Sequence, residues 1–180
     1  MTHSRALMSF LAVALVGGGQ VSLAAQAPPL TCVVKKLADG DSFTCADGRK
    51  VRLLLMDAPE LAQSPWGRMA KAQMERLAAP GTVLRLELDR NPTDRYGRTL
   101  AYAYAGNVML NEWMVANGWA VVLAYENVRY LDRFNRAESA ARTAKKGFWQ
   151  AWAFRCQPKD YRAHRCGDDP NRGKKKSRKG

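Results

Sequence analysis

This chain is poor in the side chains that soft metals need, and it has no long apolar run. Only two histidines occur in 180 residues, His3 and His164, and none of the four cysteines stands in a CxxC pair. The spacings of a zinc site are therefore missing. The longest apolar stretch, ALMSFLAVALV from Ala6 to Val16, is too short to span a bilayer comfortably, and a membrane anchor is the rival reading of it. No internal repeat is present. Acid is also scarce: 16 Asp and Glu face 29 Lys and Arg, which leaves a net charge of +13. Such a chain is attracted to polyanions, whether nucleic acid, anionic lipid or wall polymer.

The N-terminal stretch has the grammar of a secretory signal peptide. Arg5 gives a basic start, the apolar run follows, GGG breaks it, and SLAAQA offers small residues for cleavage. Residues 1–27 are expected to form this leader, cut between Ala24 and Ala27, with no cysteine at the cut to carry a lipid. The expected product is secreted or periplasmic, without membrane attachment after cleavage. Export gives the cysteines a meaning, because an even number in an oxidising compartment reads as disulfides. Four cysteines allow three connectivities. Cys32 and Cys45 flank an Asp39-Gly40 turn, and Cys156 and Cys166 close a short loop, so those are the expected pairs. The last ten residues, NRGKKKSRKG, cannot build a core and are expected to be disordered. The domain proper is thus expected over residues 28–155, with a disulfide loop and basic tail over 156–180.

Within the domain, Leu30–Ala38, Ser42–Ala46 and Val51–Met56 read as a three-strand meander around Asp-Gly turns. Pro65 starts a helix with Ala70, Met74, Leu77 and Ala78 on one face, and Ala79–Gly81 stops it. Thr82–Asp89 and Thr99–Ala105 alternate as strands. Helices are predicted over Asn107–Asn117 and from about Asn127 to Lys146, where Gly147 ends the last and Phe148, Trp149 and Trp152 dock its exit. Five strands with a helix between the third and fourth is the order of an OB-type Greek-key β-barrel, here an α+β domain with three helices.

Three polar clusters interrupt this pattern. They are DGDS (Asp39–Ser42), DAPE (Asp57–Glu60, with Arg52 upstream) and TDRYGR (Thr93–Arg98). Each alone is weak: the first is a common hairpin turn, the second a common strand end, and the third can be a solvated loop. Their joint order on a basic, exported barrel is more specific.

DGDS, VRLLLMDAPE and TDRYGRTLAYAY, with NEWMVANGWA further on, resemble the signature blocks of the staphylococcal nuclease (thermonuclease) family, over about Val33 to Trp149. The resemblance implies a monomeric, calcium-dependent phosphodiesterase without a stable protein partner. Its substrates would be DNA and RNA, cut to leave 3′-phosphate ends. By position, Asp41 and Asp57 would be carboxylate ligands of Ca²⁺ and the carbonyl of Ala58 a third ligand. Glu60 would orient or deprotonate the attacking water, and Arg52 and Arg98 would grip the phosphate. Arg95 and Tyr96 would lie beside the neighbouring phosphate and base, and Asp94 would support their loop. Four features depart from the family pattern: Ser42 and Ala58 stand where threonines are usual, LAQSPWG replaces a lysine-rich loop, and Tyr125 is the nearest candidate for a displaced aromatic.

These residue types suit the chemistry. Calcium takes hard oxygen ligands, and two aspartates hold it weakly, as fits an extracellular site. Arginine forks neutralise a five-coordinate phosphorus and never lose their proton. One point resists the pattern. Strict alternation places Arg52 and Asp57 on opposite faces of a strand, so a shared site requires the strand to bend or end before Asp57, with Pro59 turning Glu60 back over it. The rival reading is a non-catalytic OB-fold module that binds single strands through basic and aromatic groups. Such a module would be expected to lack the carboxylates or arginines that this chain has.

Overall fold

The computed structural model describes residues 29–150 and 156–166. The expected signal peptide, the docking of Trp152 and the basic tail lie outside the described residues.

The meander forms as β1 (Leu30–Leu37), β2 (Ser42–Cys45) and β3 (Lys50–Leu53). In β1, Cys32, Val34 and Leu37 turn inward while their neighbours stay exposed. The third strand is shorter than its apolar run suggests. It stops at Leu53, a turn passes through Leu54 and Leu55, and Met56–Asp57 forms a separate short strand, β4. Leu55 has φ 57°, a left-handed backbone that reverses the pleat. The break comes from this turn, ahead of Pro59.

Helix α1 (Trp66–Leu77) follows, burying Gly67, Ala70 and Met74. Strand β5 (Val83–Thr93) pairs with β1, and β6 (Thr99–Ala105) pairs with β5. β6 then closes on β3 in parallel, with Arg52 opposite Leu100. The five long strands thus make the expected closed barrel, in the order β3-β2-β1-β5-β6 and back to β3. β5 runs past Asp89 because the β5–β6 pairing resumes at Thr93–Thr99 after a register shift. Val108 and Met109, expected to open a helix, instead pair with β6 as β7. Helix α2 (Leu110–Ala116) starts directly after them. β8 (Val121–Val122) pairs with β4, setting Asp57 opposite Val121. Helix α3 (Leu131–Thr143) lays Phe134 against Tyr102, with Tyr130 edge-on to the same ring at 4.8 Å. A fourth helix, α4 (Pro158–Arg162), lies in the C-terminal loop. Cys32 is joined to Cys45 and Cys156 to Cys166, the pairing that the hairpin and the short loop suggest.

One buried polar side chain holds the break in place. Asn111 on α2 is fully buried. Its amide donates to the Leu54 carbonyl at 2.9 Å and the Ala101 carbonyl at 3.1 Å, and its oxygen accepts from the Ala103 N–H at 2.9 Å. It replaces ladder bonds that β3 gives up where it turns, which is how a buried bend avoids orphaned backbone groups. Asn111→Ala is expected to lower stability by about 2–4 kcal/mol, because buried donors and acceptors lose their partners. The midpoint of denaturant unfolding measures this, and a loss under about 1 kcal/mol would show that the bend is held elsewhere.

Candidate active site

The break after Leu53 lets Arg52 meet Asp57. Arg52 Nη1 donates to the carbonyls of Leu53 at 2.8 Å and Met56 at 2.9 Å, spanning the turn. Its Nη2 stands 3.1 Å from Asp57 Oδ1 and 3.2 Å from Asp41 Oδ2. One guanidinium therefore bridges both expected metal ligands. Asp57 is 1 % and Asp41 6 % exposed, and carboxylates buried so deeply persist only when paired and hydrogen-bonded.

Each aspartate is positioned by its own surroundings. Asp41 Oδ1 accepts from the Ser42 hydroxyl at 2.9 Å, so the serine fills the hydroxyl role at that position. Asp41 Oδ2 accepts from the Ala58 N–H at 2.8 Å, which draws the Ala58 peptide up to the carboxylates. The DGDS turn and the DAPE segment approach closely because their side chains are small. A Cβ on Gly40 would stand 2.7 Å from the Ala58 Cβ and 3.0 Å from that of Ala70. Burial pushes the Asp57 carboxyl up, against the hydrogen bond from Arg162 and the charge of Arg52. Burial and the neighbouring Asp41 push Asp39 up to about 7.

Glu60 lies at the rim, and its backbone is clamped. The Glu60 N–H donates to Gln63 Oε1 at 2.8 Å, and the Gln63 N–H returns to the Glu60 carbonyl at 2.8 Å. The first turn of α1 packs so tightly here that a Cβ on Gly67 would overlap the Glu60 carbonyl oxygen.

Residues with no site role in the sequence reading now enter it. Arg162 of α4 forks onto Asp57, with Nη1 at 3.0 Å from Oδ1 and Nη2 at 2.9 Å from Oδ2, and Nη1 also reaches Glu60 Oε1 at 2.8 Å. The hydrogen bond to Asp57 holds the Arg162 guanidinium above its ordinary value. Buried Gln63 donates through Nε2 to the Cys156 carbonyl at 3.1 Å. The disulfide loop set apart from the domain by sequence thus lies over the candidate site. No periodicity marks Arg162. The one signal available was the disulfide, which orders a segment otherwise read as tail.

The third cluster forms a separate, exposed arm. Asp94 Oδ1 accepts from the N–H groups of Tyr96 and Arg98, both at 2.9 Å, and Oδ2 accepts from Arg98 Nε at 2.7 Å. Desolvation raises the Asp94 carboxyl, but the Arg98 and Tyr96 hydrogen bonds outweigh it and hold the group below its usual range. The Arg98 terminal amino groups make no hydrogen bond among the described residues. The guanidinium of Arg95 lies 4.8 Å and that of Arg98 5.7 Å from the Tyr96 ring centroid, and Tyr96 is 68 % exposed. The parallel register sets Leu100 of β6 beside Arg52, and Arg98 comes just before that strand. Tyr125 is also exposed, and nothing among the described residues ties it to the carboxylates. Its loop is pinned to β5 by Asn127, whose side chain exchanges two hydrogen bonds of 2.9 Å with the Asn91 backbone.

Among the described residues, no three His, Cys, Asp or Glu side chains converge as a metal cage. Asp41 and Asp57, with nearby carbonyls, offer a partial shell of hard oxygens that water and substrate oxygens would complete. Such a shell suits calcium better than zinc. Arg162 already stands as a cation against Asp57 and Glu60.

A family model described as staphylococcal nuclease homologue matches residues 50–151. The chain is 34 % identical over 128 residues to a thermonuclease of Staphylococcus hyicus, covering 66 % of this chain and 75 % of that protein. It is 32 % identical over 127 residues to a thermonuclease of Staphylococcus intermedius, with coverage of 66 % and 75 %. It is 35 % identical over 122 residues to the endonuclease YncB of Bacillus subtilis, covering 62 % of this chain and 57 % of that protein.

The depressed Asp94 carboxyl sets a pH window for its loop. A group whose folded pKa lies below its unfolded value contributes fully above the unfolded value, about 4, and loses that contribution as pH falls through the folded one. Amide-exchange protection at Tyr96 and Arg98 is expected to be flat above about pH 5 and to fall below about pH 4. In Asp94→Ala the protection should be low throughout. Parent-like protection in that variant would show that the loop is held by other contacts.

Proposed function

Because the chain belongs to the staphylococcal nuclease family, we propose that it is an exported, calcium-dependent nuclease that hydrolyses DNA and RNA to 3′-phosphate-ended products. The observation that carries this reading is the convergence of Asp41, Asp57 and Arg52 within 3.2 Å, with Glu60 at the rim of the same site. A module that only bound strands would have no use for two buried carboxylates, which are costly to keep. The two disulfides support export, as does the leader read over residues 1–27. The protein acts as a monomer in this reading, with nucleic acid as its partner.

Asp41, Asp57 and the Ala58 carbonyl would hold the calcium ion, which when bound supplies positive charge beside the scissile phosphate. The remaining work belongs to the chain. Arg98, with its Nε fixed by Asp94, presents its two terminal amino groups to phosphate oxygens. Charge that builds on those oxygens in the transition state meets a donor already in place, and that lowers the barrier. Arg52 is largely committed to two carbonyls and two carboxylates, so it keeps the acidic pair together while adding positive charge next to the phosphate. Glu60 takes the proton of the attacking water. Tyr96 and Arg95 offer an aromatic face and a cation to the adjoining base and phosphate. Stacking of this kind is tolerant of sequence.

Two outcomes test the reading. Chelation should abolish cleavage of single- and double-stranded DNA and of RNA. Calcium should restore it and magnesium support it poorly, with 3′-phosphates on the products. Full activity in chelator would remove the metal from the mechanism. Glu60→Gln should bind substrate in calcium nearly as the parent does, yet cleave roughly 10² to 10⁴ times more slowly. A variant that cuts at the parent rate would return Glu60 to the end of a strand. A parent that binds but never cuts would favour the binding module.

A further inference from the structure

We infer that Arg162 is a resident counter-cation of the carboxylate site, and that a divalent cation gains Asp57 only when the disulfide-closed loop bearing Arg162 lifts away. This rests on the metal reading of Asp41 and Asp57 given above.

The geometry leaves little choice. Asp57 Oδ1 already accepts from Arg52 Nη2 at 3.1 Å and Arg162 Nη1 at 3.0 Å, and Oδ2 accepts from Arg162 Nη2 at 2.9 Å. A calcium ion on either oxygen would sit about 2.3–2.6 Å from it, and so at most about 5.6 Å from the Arg162 nitrogen bonded to that oxygen at 2.9–3.0 Å. Like charges that close repel strongly in a partly buried site. Arg52 cannot be the group that yields, because its Nη1 is spent on the Leu53 and Met56 carbonyls that secure the turn. Arg162 is the mobile partner by construction. Its side chain is 41 % exposed, against 14 % for Arg52. It is carried on a five-residue helix rather than on the barrel. When Arg162 lets go, the Cys156–Cys166 bridge keeps the loop closed on itself, and the bond from Gln63 to the Cys156 carbonyl still ties its first residue to the domain. Release therefore need not unfold anything; the helix only has to tilt. The family match covers residues 50–151 and so does not include this loop.

Occupancy of the site by Arg162 lowers apparent metal affinity by the fraction of time the site is free. With Arg162 in place about nine-tenths of the time, that factor is roughly 10. The test titrates calcium chloride calorimetrically into the metal-free full chain, without substrate. Arg162→Gln should tighten calcium binding roughly 10-fold. Lys159→Gln removes the same charge from the same helix and should stay within about 2-fold of the parent, as expected for an exposed charge at moderate salt. Cys156→Ser with Cys166→Ser, which frees the loop and keeps Arg162, should also tighten binding. In the parent, calcium should speed amide exchange across residues 158–166 and leave β3 unchanged. Equal affinities for the parent and Arg162→Gln, or equal tightening by Lys159→Gln, would overturn the inference and leave the metal reading standing. No calcium binding by the parent or by Arg162→Gln would overturn the metal reading and the inference with it.

Discussion

Everything at this site depends on the Arg52 guanidinium. Half of it ties the carbonyls of Leu53 and Met56, which flank the turn that ends β3. The other half neutralises Asp41 and Asp57. The bend and the acidic pair are therefore one unit. Without the turn, alternation would send Asp57 away from Arg52. Without the arginine, two buried carboxylates would face each other uncompensated. Barrel closure adds to this, because Arg52 is also the residue of β3 that pairs with Leu100 of β6. The strand that closes the barrel thus also carries the arginine of the site.

The site divides into two parts with different physics. The acidic part is buried and clamped by small residues and backbone donors, and burial shifts the Asp39 and Asp57 carboxyls upward. The basic and aromatic part on residues 94–98 is exposed, ordered locally by one aspartate, and free to meet a flexible polymer. In the metal reading, the acidic half profits from low dielectric, which strengthens electrostatic interactions. In the proposed reading, the exposed half profits from access and tolerance of sequence. The β5–β6 register shift extends the hairpin before the Asp94 loop begins.

The C-terminal loop changes how the acidic half must be viewed. Asp57 and Glu60 have a counter-charge of their own in Arg162, beside the one that Arg52 gives Asp57. A site of this kind gives up some affinity and gains stability when empty, because the paired carboxylates avoid an unmet desolvation cost. The same loop reaches the Glu60 backbone through Gln63. Residues about a hundred positions apart therefore share one small network, in which the loop touches Glu60 as well as Asp57.

The sequence alone determined what local physics writes into it. Alternation and Asp-Gly turns mark the barrel strands, helical periodicity marks α1 to α3, and the hairpin turn brings Cys32 to Cys45. The three polar clusters named most of the candidate site because each is contiguous, and the resemblance supplied their roles. The tertiary structure decided the rest. The break after Leu53 hides in a continuous apolar run, since Leu55 adopts a left-handed turn that no leucine announces. The importance of Gly40, Gly67 and Ala58 lies in what they leave room for, and room is defined by a neighbour distant in sequence. Asn111 looks like an ordinary polar residue on a helix until its three buried hydrogen bonds are seen. Arg162 meets Asp57 across 105 positions of chain. Periodicity decays within a few residues, so a contact at that separation is set by how the whole barrel closes.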